Sequence, residues 1–135
     1  MAITDDPSAD EISRLRQLKG AARAAATYRT VAETGVLWVW GDDEDTLFME
    51  DADGVTVLPI WPFAALARRE CGGQVPDERP IEVTVERFLE VWLPQLSDDD
   101  AGIAVFPVDG KIAVSLSVEE FRARIVGSMS RNADG

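Results

Sequence analysis

The chain is 135 residues long and 46% hydrophobic, with 25 Asp and Glu against 13 Lys and Arg, a formal net charge of −12, one cysteine and no histidine. That length and apolar content suit one domain with its own core, while the charge opposes a DNA or RNA backbone, whose phosphates are held through Lys and Arg clusters. A lone Cys71 excludes an internal disulfide and a cysteine-rich zinc site, and the missing histidine removes Ser-His, Cys-His and most zinc chemistry.

Residues 1–9 include Asp5, Asp6, Pro7 and Ser8, have little to bury, and are expected to be a mobile leader. Asp10 is placed to cap a first helix running to Glu33. In it Leu15, Leu18, Ala22 and Ala25 fall at helical spacing, with Gly20 as a weak point and Gly35 as its stop. The β-branched and aromatic run Val36, Leu37, Trp38, Val39 and Trp40 predicts a strand. After an acidic turn, residues 46–50 and 55–60 predict two more strands about the tight-turn pair Asp53-Gly54, completing an antiparallel meander. Pro59, Trp61 and Pro62 end that run, and a short helix over 63–70 follows.

Cys71, Gly72, Gly73, Pro76 and Pro80 predict an irregular connection over 71–80. Thr84 is expected to cap a helix with an apolar face of Val85, Phe88, Leu89, Trp92 and Leu96, terminating early near Pro94. Residues 103–108 and 112–116 predict a hairpin about Asp109-Gly110. Ser117-Val118-Glu119-Glu120 is a capping box opening a final helix with the stripe Val118, Phe121, Ile125 and Met129. The expected fold is a single α+β domain over residues 10–129, an antiparallel sheet of about five strands against about three helices, with a polar tail at 130–135. The N-terminus lacks the basic start and apolar run of a signal peptide, no apolar stretch reaches spanning length, and one cysteine suits a reducing compartment. A cytoplasmic protein without membrane association is expected.

A set of motifs recurs in a known order: the 36–40 strand, an acidic hairpin, Val57-Leu58-Pro59-Ile60-Trp61-Pro62, then Phe88-Leu89-Glu90-Val91-Trp92-Leu93-Pro94, and Ala104-Val105-Phe106-Pro107 before a final helix. In these the chain resembles a bacterial family of small acidic proteins grouped as domain of unknown function 2750, over roughly residues 28–125. The Ala- and Arg-rich first helix departs from it. The resemblance implies a small α+β domain; the family has no established activity, so no catalytic residue carries over.

Charge is patterned along the chain. Asp42, Asp43, Glu44, Asp45, Glu50, Asp51 and Asp53 stand in residues 42–53 without a single Lys or Arg, and residues 82–100 add six acids against Arg87. The bland reading is a solvated face, because Asp is favoured in turns where its side chain bonds nearby amides. Arg68 and Arg69 precede Cys71 and favour a thiolate, but a helix C-terminus has the wrong dipole sign for one. Aligning Asp53-Gly54 with a calcium-binding EF-hand loop puts Met49 at the first ligand position and Ile60 where a bidentate Glu is required, so the spacing fails. Cys71-Gly72-Gly73 lacks the Lys-Ser or Lys-Thr of a phosphate loop, and no cofactor is expected.

Trp38 and Trp40 share one strand face, while Trp61 and Trp92 lie in apolar settings that suit core anchors. Trp at a surface beside an acidic turn is a candidate anchor for a partner. The leading expectation is a non-catalytic, acidic protein-binding module that engages a basic partner through Asp42, Asp43, Glu44, Asp45, Asp51, Asp53 and Trp40. Its sharpest version is an immunity or inhibitor protein covering the basic cleft of a nucleic-acid enzyme. A second class is an anion-binding protein or enzyme using Arg68, Arg69 and Arg79, and a third is a housekeeping or self-associating protein whose acidity serves solubility.

Overall fold

Two helices stand where the sequence predicts one. In the computed structural model the described residues are 7–72 and 76–134, so most of the expected leader and part of the 71–80 connection lie outside them. Helix α1 (Ala9–Gln17) is capped by Ser8, whose Oγ accepts from the Glu11 amide at 3.1 Å, and not by Asp10. The chain opens into extended backbone at Leu18 and Lys19 and resumes as α2 (Gly20–Thr34). Gly20 is required there, because a Cβ on it would lie 2.6 Å from the Ala113 Cβ. The interruption resets the helical face: Ala24, Ala26, Thr27 and Val31 are buried, while Ala22 and Ala25 are exposed. Gly35, in the left-handed conformation at φ 79°, ends α2 with its N–H on the Val31 carbonyl at 2.8 Å.

The remaining elements are β1 (Val36–Gly41), β2 (Met49–Glu50), β3 (Thr56–Ile60), α3 (Ala64–Cys71), β4 (Arg79–Thr84), α4 (residues 85–98), β5 (Gly102–Val105), β6 (Ser115–Leu116) and α5 (Val118–Asp134). With α4 taken as one continuous rod, the described residues form six strands and five helices, correcting the expected five and three. A single antiparallel sheet is also corrected. β1 pairs antiparallel with β4, from Val36 opposite Thr84 to Gly41 opposite Arg79. A separate four-stranded sheet runs β2-β3-β5-β6, in which β3 and β5 are parallel. The two sheets touch through one bridge, where Trp38 and Trp61 exchange both backbone hydrogen bonds at 2.9 Å.

Burial explains the parallel pair. Gly102, Ile103, Ala104 and Val105 are all buried, as are Val57, Leu58, Pro59 and Ile60, the near-continuous apolar run of strands covered on both faces. β2 flanks only Thr56 and Val57, so β3 is unpaired on that side at Pro59, which has no N–H to give. The meander fails because Thr46 bridges Gly41 just once; the Leu47 amide still donates to the Trp40 carbonyl at 2.7 Å, and the ladder ends there, before Phe48. β4 takes the vacant edge of β1. Its Ile81 and Val83 alternate with exposed Glu82 and Thr84, a period-two pattern that Pro80 obscures in the sequence.

Pro94 does not end α4. Residues Phe88–Trp92 form a π-helical turn, closed by the Leu93 amide on the Phe88 carbonyl; this wider turn accommodates a proline that lacks an N–H and would crowd a regular α-turn. Thr84 does cap α4, accepting from the Arg87 amide at 3.2 Å. The Asp109-Gly110 turn is also as expected: both residues have positive φ, 55° and 75°, and Val108 and Lys111 exchange backbone bonds around them, as a type I′ hairpin requires. The capping box forms in full, with the Ser117 amide on Glu120 Oε1 at 2.9 Å and the Glu120 amide on Ser117 Oγ at 3.1 Å. α5 buries Val118, Phe121 and Ile125, leaves Met129 exposed, and continues through Asp134. Its Phe121 meets Phe88 edge-on at 5.4 Å, joining α4 and α5 in a core that also holds Trp61, Leu66, Leu93, Ile103 and Phe106.

Candidate functional site

The acidic segment 42–53 is a pair of tightly built turns with an apolar crest between them. Asp42 Oδ1 accepts from the Glu44 and Asp45 amides, each at 2.8 Å, and these backbone bonds hold its carboxyl below the ordinary Asp value. Gly41 lets the turn close, since a Cβ there would stand 2.2 Å from the Asp45 carbonyl oxygen. Asp51 plays the matching role in the second turn, accepting from the Asp53 and Val55 amides at 2.9 and 3.0 Å, with Gly54 left-handed at φ 80°. Asp43 pairs with Arg79 at 2.7 Å on the surface. Glu44, Asp45, Glu50 and Asp53 are exposed.

Leu47 and Phe48 stand between these acids, 37% and 44% exposed, with Val55 at 42%. Sequence reasoning passed over both. The available signal was two large apolar neighbours in an acidic run, which on a strand point to opposite faces and cannot share one core. Trp40 lies elsewhere: it is 4% exposed, beneath the loop, with its indole N–H on Glu78 Oε1 at 3.0 Å. Trp38 is half-buried, and Trp61 is a core anchor whose indole N–H reaches the Pro107 carbonyl at 3.2 Å. Trp92, also half-buried, stacks on Phe88 at 5.9 Å.

The two acidic segments meet. Asp51 from the first and Asp100 from the second line one shallow groove of about 240 Å³ beside β3 and β5, with Val55 and Val57 between them in its lining. The acids therefore extend from the 42–53 turns to the end of α4.

The three arginines considered for an anion site are not gathered. Arg68 and Arg69 are exposed on the last turn of α3, while Arg79 at the start of β4 is engaged by Asp43. A different charged cluster lies deeper. Glu70, whose side chain is 6% exposed, receives Arg16 Nε at 2.7 Å and the Asp109 amide at 2.9 Å, and Arg16 also reaches Asp109 Oδ1 at 2.8 Å. Buried Arg23 donates to the Phe106 and Leu18 carbonyls at 3.0 and 2.8 Å, with its guanidinium 5.5 Å from the Phe106 ring. These contacts fasten α1, α2 and α3 to the β5-β6 hairpin. Next to Glu70, burial and then the charges of Glu70 and Glu78 push the Cys71 thiol up to about 11, so it stays protonated near neutral pH. Among the described residues no three His, Cys, Asp or Glu side chains are grouped to hold a metal ion, and no helix is long and apolar enough to cross a membrane.

No curated protein and no solved structure matches the chain. A family model described as protein of unknown function (DUF2750) matches residues 24–125, from within α2 to the buried Ile125 of α5. With the acidic turns, both sheets and the π-turn of α4 all inside that match, the chain belongs to the DUF2750 family.

Proposed function

We propose that this protein is a non-catalytic binding module that seats a basic protein partner on the 42–53 turns. One observation carries the reading: Leu47 and Phe48 are exposed at the centre of a surface whose outward charges are Glu44, Asp45, Glu50 and Asp53. Binding hot spots combine a large apolar anchor with a rim that excludes water, and an acidic rim steers a basic partner and rejects an acidic one. Asp42 and Asp51 support this by spending their carboxylates on the loop's own amides, which presents the crest in a fixed shape before binding. Within the class, an immunity or inhibitor protein that covers the cationic cleft of a nucleic-acid enzyme fits best, because such a cleft offers the complementary charge. The anion-site alternative has less support, since Arg79 already pairs with Asp43.

The test is affinity capture from the host lysate at low and high salt, with two variants as controls. Glu44→Lys/Asp45→Lys/Asp53→Lys reverses outward charges while sparing Asp42 and Asp51, and Phe48→Ala removes the anchor. A basic protein held at low salt, released at high salt and lost with both variants is the expected result. Phe48→Ala should weaken binding by about 2 kcal/mol, roughly thirtyfold. Capture that both variants leave unchanged would refute the proposal.

A further inference from the structure

A groove of about 460 Å³ runs between α2 and α5, floored by small residues including Ala21, Ala24, Ala25 and Gly127 and closed at one side by Val114 and Leu116 of the β5-β6 hairpin. A second depression of about 360 Å³ continues it along the same two helices, and the two share Ala25, Tyr28 and Arg131. Volumes of this size match small-molecule sites, which are mostly apolar with a few placed polar groups.

The charge here is opposite to that of the rest of the molecule. Arg124 and Arg131 line the first depression and Arg29 and Arg131 the second. Acids outnumber bases 25 to 13 in this chain, yet none of these three arginines carries an ion pair among the described residues. Arg131 is oriented by its Nη2 donating to Ser128 Oγ at 3.2 Å. Tyr28 stands where the depressions join, its ring set edge-on to Phe121 at 6.5 Å, and its hydroxyl makes no hydrogen bond to another described residue. Burial raises the Tyr28 hydroxyl above its ordinary value, while Arg124 pulls it down and Glu120 adds to the rise, so it remains a proton donor near neutral pH. Of the acids nearby, Glu120 is held by the Ser117 amide, and Glu33 borders only the second depression. An anion is thereby directed to the Arg124-Arg131 half.

We infer that the α2-α5 groove binds a small amphiphilic anion, its apolar body on the alanine floor and its carboxylate or phosphate head between Arg124, Arg131 and the Tyr28 hydroxyl. Guanidinium groups suit both heads, because their planar donors match paired oxygens. The site is separate from the 42–53 turns and does not rest on the partner proposed for them.

Amide spectra of the 15N-labelled full chain, titrated with octanoate, octyl phosphate and uncharged octanol, test this. Octanoate or octyl phosphate should move the signals of Ala21, Ala25 and Gly127 saturably, and the stronger of the two identifies the head. Octanol should bind at least about tenfold more weakly, and Arg124→Gln/Arg131→Gln should cost the anion about tenfold or more. Gly127→Leu should abolish binding by filling the groove; a Cβ at Gly127 has Arg131 Nη1 as its nearest neighbour at 3.7 Å, so the helix accepts it. Phe48→Ala should leave the titration unchanged. The inference is overturned if neither anion moves those signals in the folded parent protein, or if octanol matches them and the arginine variant binds as before.

Discussion

Glu70 shows how one side chain can hold three segments. Its buried carboxylate accepts from Arg16 of α1 and from the Asp109 amide of the hairpin turn while standing on α3. Glu70→Ala leaves that amide without its acceptor and the half-buried Arg16 with only the exposed Asp109, and should destabilise the fold by about 2–3 kcal/mol in urea unfolding. Its neighbour Cys71 gives a sharper readout. With the thiol raised from 9.0 to about 11, its thiolate fraction at neutral pH is roughly a hundredfold below that of an ordinary thiol, and alkylation by iodoacetamide should slow accordingly. The raised value also means that the thiol contributes stability below pH 9 and loses that contribution as pH rises from 9 towards 11; a Cys71→Ala variant should lack that decline. Asp42 has the opposite sign. Its lowered value stabilises the turn above the usual carboxylate range, and that contribution is lost as pH falls through the folded value. The protection of the Asp45 and Glu44 amides, measured relative to their intrinsic exchange rates, should therefore fall in acid and in Asp42→Ala.

Among the elements, the break between α1 and α2 is the most testable. Helix propensity alone favours Ala over Gly by up to about 1 kcal/mol, but the 2.6 Å approach to Ala113 outweighs it. Gly20→Ala should therefore lower the melting temperature, and adding Ala113→Gly should restore most of the loss, a coupling visible in a double-mutant cycle. The same break marks where sequence reading stopped working. Local chemistry was legible: the Ser117-Glu120 capping box, the Asp109-Gly110 turn, the Gly35 stop and the Thr84 cap are each decided by residues within a few positions of one another. What depended on distant partners was not. The fit of Gly20 against Ala113, the pairing of β1 with β4 in preference to β2, and the survival of α4 past Pro94 are settled by tertiary packing that local patterns do not encode. The candidate site divides likewise. The acidic turns were legible, but the anchor was assigned to Trp40, which the fold buries, while Leu47 and Phe48 are left outside by a strand too short to carry them.

For the whole molecule, a net charge of −12 repels itself in the folded state, so added sodium chloride should raise the melting temperature until the repulsion is screened. The same salt should weaken capture of a basic partner, which separates the two effects in one titration series. The arrangement of the sheets has a further consequence during synthesis. β1 finds its partner only when Thr84 and its neighbours have been made, and β3 waits for Gly102. Strand 36–41 therefore leaves the ribosome with open edges, and strand 56–60 with only the two-residue β2 beside it, the circumstance in which nascent chains stick together. Between them emerge seven acids without a cation. Like charges on neighbouring nascent chains oppose contact between those edges until the later strands arrive, so lysine reversal of these acids should increase aggregation during cell-free synthesis, before there is a surface for the charge to decorate.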